Sequence, residues 1–218
     1  MLFLLLIIAF TSAQQNYVVH YTFDSDNCTY EDPATVTTYA IAVCQIDESV
    51  FWSCSDKITT ALYFNSYMCS EYIYQEQIYN NVCLSEVDFS SVYSCDDSDI
   101  IIPSSPYIST KYYIGDACVG TPMKQTIEKI GCRYRLKPTI IKIDGSVYIE
   151  HAIYSTDDCV GDMKIIDRNP LNSCIYLAYQ HMSIYYTASA NAPITVQSSS
   201  PQRDEILWIM GLFIILLI

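Results

Sequence analysis

Ten cysteines, three histidines and three short acidic clusters are the side chains of this sequence with chemistry to offer. The cysteines stand at least ten residues apart and include no C-x-x-C pair. Zinc shells are usually closed by such pairs, so the thiols are not read as metal ligands. The acidic clusters Asp24-Ser25-Asp26, Asp96-Asp97-Ser98-Asp99 and Asp157-Asp158 with Asp162 carry the oxygens that calcium prefers. None has the glycine and terminal glutamate of an EF-hand loop, and they read first as solvated β loops. Covalent catalysis needs a nucleophile beside a base. The sequence has no G-x-S-x-G, no H-E-x-x-H and no glycine-rich phosphate loop. His20, His151 and His181 lie in strand-like segments, with no partner that spacing identifies. Paired carboxylates for glycoside hydrolysis are set by distance in space, on which spacing is silent. The expectation is a non-enzymatic protein without cofactor or metal, with an extracellular hydrolase third among the readings.

Disulfide chemistry suits the cysteines better. Leu2 to Phe10 is an unbroken apolar run followed by the small residues Thr11-Ser12-Ala13, which reads as a secretory signal peptide over 1–13. The run is far shorter than the ~20 residues that cross a bilayer. Behind such a signal, an even cysteine count predicts five disulfides. Cys28, Cys69, Cys118 and Cys159 each follow an aromatic by five residues: Phe23, Phe64, Tyr113 and Tyr154. A small residue lies between, at Ser25, Ser66, Gly115 and Thr156. A second cysteine comes 14 to 16 residues later, at Cys44, Cys83, Cys132 and Cys174. Ser, then Val or Ile, then an aromatic follows each time, at 49–51, 91–93, 146–148 and 183–185. The first cysteines are 41 apart within each half and 90 apart between halves. This pattern predicts a unit doubled and doubled again. Equal units sharing one bond would pair Cys28–Cys44, Cys69–Cys83, Cys118–Cys132 and Cys159–Cys174, and leave Cys54 with Cys95.

The aromatic-x-small-x-x-Cys motif, with glycine after the cysteine in Cys118-Val119-Gly120 and Cys159-Val160-Gly161, resembles cysteine-rich secreted repeats of amoeboid protists. That resemblance implies a secreted or surface ectodomain and brings neither an activity nor a functional residue.

The elements between the cysteines are rich in Tyr, Val, Ile and Thr, which favour pleated, half-buried surfaces. Thr139 to Glu150 alternates around Asp144-Gly145 and predicts a β-hairpin. Gln125 to Ile130 reads as one or two helical turns. The fold class expected is all-β: a disulfide-stabilised sandwich or barrel, or two similar halves, from four three-stranded units. The first half runs over 14–101 and the second over 102–187, with the junction at Ile102-Pro103-Ser104-Ser105-Pro106. A Ser/Ala/Pro stalk follows at 188–205, then an apolar tail, Ile206 to Ile218. Small acceptor, polar spacer and apolar tail read as a glycosylphosphatidylinositol signal with attachment at Ser198, Asn191 being the other acceptor considered. A short retained anchor is the alternative, and either places the protein on the outer face of the plasma membrane. Asn27-Cys28-Thr29 is an N-glycosylation sequon.

Charge narrows the partners. A formal net charge of -13 excludes a phosphate-binding surface, hence nucleic acid. From Gln14 to Thr110 there are 14 acidic residues against one basic, Lys57, whereas Lys111 to Glu205 is balanced. The 20 tyrosines offer flat faces with a hydroxyl, suited to sugars or protein surfaces. The leading expectation is thus an anchored surface protein that binds an extracellular glycan or protein, with a structural coat protein second.

Overall fold

The computed structural model describes residues 17–28, 32–86, 89–95 and 100–197. The signal peptide, Ser198, the Asp96–Asp99 cluster and the apolar tail lie outside them. The described residues are all-β, with sixteen strands and no helix. In the first half these are β1 (Tyr17–Phe23), β2 (Thr35–Ala40), β3 (Cys44–Gln45), β4 (Val50–Cys54), β5 (Ile58–Phe64), β6 (Tyr72–Tyr79), β7 (Leu84–Ser85) and β8 (Ser90–Ser94). The second half supplies β9 (Tyr107–Ile114), β10 (Lys124–Lys129), β11 (Leu136–Ile143), β12 (Ser146–Tyr154), β13 (Met163–Pro170), β14 (Cys174–Leu177), β15 (Met182–Ala188) and β16 (Ile194–Val196). The Asp144-Gly145 hairpin forms as its residues require: both have positive φ, and Ile143 faces Ser146 across the turn. Gln125 to Ile130 is not helical. It lies almost wholly in β10, which is paired on both sides, by β2 and β9, so tertiary pairing overrides the weak local preference. The expected stalk also differs, because Ile194–Val196 adds in parallel to β11.

One large sheet has the order β14-β15-β9-β10-β2-β1-β8-β7, and two four-stranded sheets, β3-β4-β5-β6 and β13-β12-β11-β16, cover it. The large sheet is joined at its centre by β2 and β10, which run antiparallel with Thr37 opposite Thr126, their hydroxyls 3.4 Å apart. Beneath the first small sheet Val18, Tyr39, Val50, Trp52, Ala61 and Ile78 form one core. Beneath the second, Ile108, Ile140, Ile149, Met182, Ile184 and Tyr186 form another. On the opposite face of the large sheet Val19, Tyr21, Phe23, Val36, Val92 and Ile127 pack together. Lys124 seals the joint between the halves. Its buried side chain lies against the rings of Tyr39 and Tyr112, and its ammonium pairs with Asp47 at 2.6 Å and with Glu48. Burial pulls its pKa down, but the two carboxylates outweigh that and hold it above the ordinary lysine value.

All ten cysteines are bonded. Cys54–Cys95 forms as the spacing suggested, while the other eight pair differently. The bonds are Cys28–Cys83 and Cys44–Cys69 in the first half, and Cys118–Cys174 and Cys132–Cys159 in the second. They are nested, not local: Cys44–Cys69 lies within the span of Cys28–Cys83, and Cys132–Cys159 within that of Cys118–Cys174. Strand pairing brings the distant cysteines together: β1 pairs with β8 and β4 with β5 in the first half, β9 with β15 and β11 with β12 in the second. A Cys132→Ser, Cys159→Ser double variant should lose about 3–4 kcal/mol, the chain-entropy value for a loop of this separation. Chemical denaturation would measure the loss, and peptide mapping without reduction should recover the nested pairs.

Candidate functional site

The seam between the halves carries a cleft of about 480 Å³. One wall is Thr22 and Asp24 at the end of β1 with Thr35 at the start of β2. The other is the loop from Ile130 to Tyr134, with Leu136 and Pro138 of β11 behind it. Arg133 spans the gap. Its Nη1 donates to Thr35 Oγ1 at 2.7 Å, its Nη2 donates to Thr22 Oγ1 at 3.3 Å, and its Nε lies 2.7 Å from Asp24 Oδ1. Guanidinium has five N–H groups, so one remains on each terminal nitrogen. The cleft opens past Asp24, Cys132, Arg133 and Tyr134 into a second space of about 420 Å³ that reaches Asp157. Two of the acidic clusters thus meet here, around a guanidinium.

The mouth of the cleft is shaped by a strained turn. Arg133 and Leu136 exchange backbone hydrogen bonds at 2.8 Å in each direction, and both residues between them have positive φ, 47° at Tyr134 and 71° at Arg135. A two-residue turn of this kind favours Asn-Gly or Asp-Gly, as at Asp144-Gly145. A bulky aromatic in the left-handed region costs of order 1–3 kcal/mol and persists only where its surroundings impose it. Here the Arg133 guanidinium lies 5.5 Å from the Tyr134 ring centre, and Arg135 Nε donates to Tyr154 O at 2.8 Å. Tyr134 is left 47% exposed beside the Arg133–Asp24 pair.

The matching position of the other half has different chemistry. There a groove of about 430 Å³ lies beside Cys44, the counterpart of Cys132 in the inner disulfide. Ile114 stands after Tyr113 as Asp24 stands after Phe23, and Tyr67 precedes Cys69 by two residues as Asp157 precedes Cys159. This groove is apolar, and no arginine lines it.

Further back, Glu128 and Lys129 of β10 complete the cleft. Lys129 Nζ is held by Asp32 Oδ2 at 2.6 Å. Glu128 accepts from His151 Nε2 at 3.1 Å, while His151 Nδ1 is 2.7 Å from Asp167 Oδ1, so this imidazolium ties β12 to β10. Burial lowers its pKa, but the hydrogen bonds and charges of Glu128 and Asp167 prevail and raise it to about 9. His20 goes the other way. Stacked on Tyr93 at 4.1 Å, it is lowered to about 4 by burial and by Arg133. His181 lines the apolar groove. These partners lie on other strands, and nothing in local spacing announces them. Asn27 is exposed, but Thr29 of its sequon lies outside the described residues.

Compared with known proteins, the chain matches no family model, no curated protein and no solved structure.

A group whose folded pKa is raised stabilises fully below its unfolded pKa, and the gain is lost as pH rises through the folded value. Stability should therefore fall between about pH 6.5 and about pH 9, by roughly 3 kcal/mol from His151. His20 acts at the acid end, where its lowered pKa removes stability as pH falls from 6.5 towards about 4. Urea midpoints across this range would show both limbs, and His151→Asn should flatten the alkaline one.

Proposed function

We propose that this is a secreted, surface-anchored, non-enzymatic recognition protein that binds a neutral glycan in the seam cleft. The observation that carries the reading is the strained turn holding Tyr134 exposed beside the Arg133–Asp24 pair. A sugar ring offers an apolar face to an aromatic and neighbouring hydroxyls that each donate and accept. The spare N–H groups of Arg133 and the half-exposed carboxylate of Asp24, side by side, suit such a diol. Five disulfides with no free cysteine fit an oxidising compartment, as secretion requires. In this reading the halves are duplicates of one ancestral segment, itself a doubled unit of 41 residues. The nested bonds support that origin, with sequence separations of 55 and 25 in the first half against 56 and 27 in the second. The polar cleft and the apolar groove are then diverged copies of one site.

A glycan array with the full-length protein tests this. Selective binding to neutral glycans is expected, and Tyr134→Gly should reduce it at least ~10-fold, the loss of about 1.4 kcal/mol from one stacking platform. The same substitution should leave stability within about 1 kcal/mol of the parent, since glycine accepts positive φ while the contact of the ring with Arg133 is lost. A blank array, or binding indifferent to Tyr134, would remove the lectin reading.

A further inference from the structure

The outer edge of the first small sheet points to a second binding surface, separate from the cleft. Among the described residues β6 is the last strand of its sheet and pairs only with β5. Its sequence is Tyr-Ile-Tyr-Gln-Glu-Gln-Ile-Tyr, and every residue but Ile78 is exposed, on both faces of the strand. Tyr72, Ile73, Tyr74 and Tyr79 are 57%, 55%, 51% and 67% exposed. Asn80 N–H donates to Lys57 O at 2.9 Å, so alternation along the strand turns the N–H and C=O groups of Gln75, Gln77 and Tyr79 away from β5. Such an edge is a template for another strand unless it is guarded.

The corresponding edge in the second half is guarded. β13 carries Lys164 and Arg168 and ends on Pro170, the residue types that blunt an edge. β6 has neither lysine nor proline, and its one charge is Glu76, whose carboxylate accepts from Tyr63 OH at 3.1 Å. Charge then selects the occupant. The half that presents β6 has 14 acidic residues against one basic from Gln14 to Thr110, so two copies meeting there repel each other.

We infer that the open edge of β6 accepts an extended, lysine- or arginine-bearing polypeptide strand of a partner protein by antiparallel or parallel sheet extension. The outward groups of Gln75, Gln77 and Tyr79 would supply the ladder, the exposed tyrosines would pack on its apolar side chains, and Glu76 with its acidic surroundings would select its charge.

The test uses the full-length protein and a fluorescent peptide of alternating valine and lysine, read by anisotropy. Its controls are an alternating valine–glutamate peptide and a lysine peptide of equal charge broken by regular prolines. Saturable binding of the valine–lysine peptide alone is expected. Gln77→Pro removes an outward N–H without removing a bond to β5, so it should keep the melting temperature while weakening binding roughly 10-fold. Glu76→Lys should weaken it as well. Equal binding of the proline-broken peptide, or an unchanged affinity in Gln77→Pro, would overturn the proposal by showing attraction to charge without strand pairing. Sedimentation supplies the remaining outcome: a dimer abolished by Gln77→Pro would mean that a second copy occupies the edge, and would overturn the basic partner.

Discussion

The antiparallel pairing of β2 with β10 is the joint on which the molecule depends. Five residue pairs, centred on Thr37 and Thr126, turn two four-stranded segments into one eight-stranded sheet. That join brings Lys124 of the second half within reach of Asp47 and Glu48 of the first. It also sets Arg133 against Thr22 and Thr35. Separate the halves and the cleft loses one wall, while a buried ammonium loses its carboxylates. Neither half is therefore complete in its own polar accounting.

The charges at and near this joint specify more than they stabilise. A buried ion pair loses much of its Coulombic gain to desolvation, but a buried charge without its partner costs several kcal/mol. Lys124 with its two carboxylates, and Glu150 with Arg168, consequently penalise any slip of the strands that carry them. A one-residue slip would also turn each side chain to the opposite face. His151 adds a third tie, from the second small sheet down to β10, and makes that contact weaken in alkali. The fold thus uses apolar cores beneath each small sheet for cohesion and a few ion pairs for register.

In the large sheet the order β7-β8-β1-β2 is mirrored by β14-β15-β9-β10, whereas in the small sheets β4 is flanked by the antiparallel β3 and β11 by the parallel β16. Where one seam has Asp24, Tyr134 and Asp157, the other has Ile114, Ile46 and Tyr67. Where one outer edge ends in Pro170 and carries lysine, the other exposes tyrosines. The acidic half carries the exposed edge, where like charge opposes the pairing of two copies. Among the described residues Tyr134 and Arg135 are the one adjacent pair of non-glycine residues at positive φ, although the same half builds a turn of the same kind with glycine at Asp144-Gly145.

How much of this was legible beforehand follows the range of the interaction. The Asp144-Gly145 hairpin was readable because two adjacent residues carry the geometry, and the all-β class because β-branched and aromatic residues crowd the chain. Cys54–Cys95 was readable by elimination, since the other units lack a counterpart. Spacing predicts local loops for the remaining eight cysteines, yet their bonds are nested, because spacing does not record which strands become neighbours. Gln125 to Ile130 looked like a helical turn for a related reason: its pairing with β2 and β9 is invisible in six residues. His151, Glu128 and Asp167 come from three strands, and Arg133 meets Thr22 across 111 residues. Composition and short-range pattern settle which local conformations are affordable. The joining of distant strands settles which side chains share a cleft, and that depends on packing faces that no single segment contains.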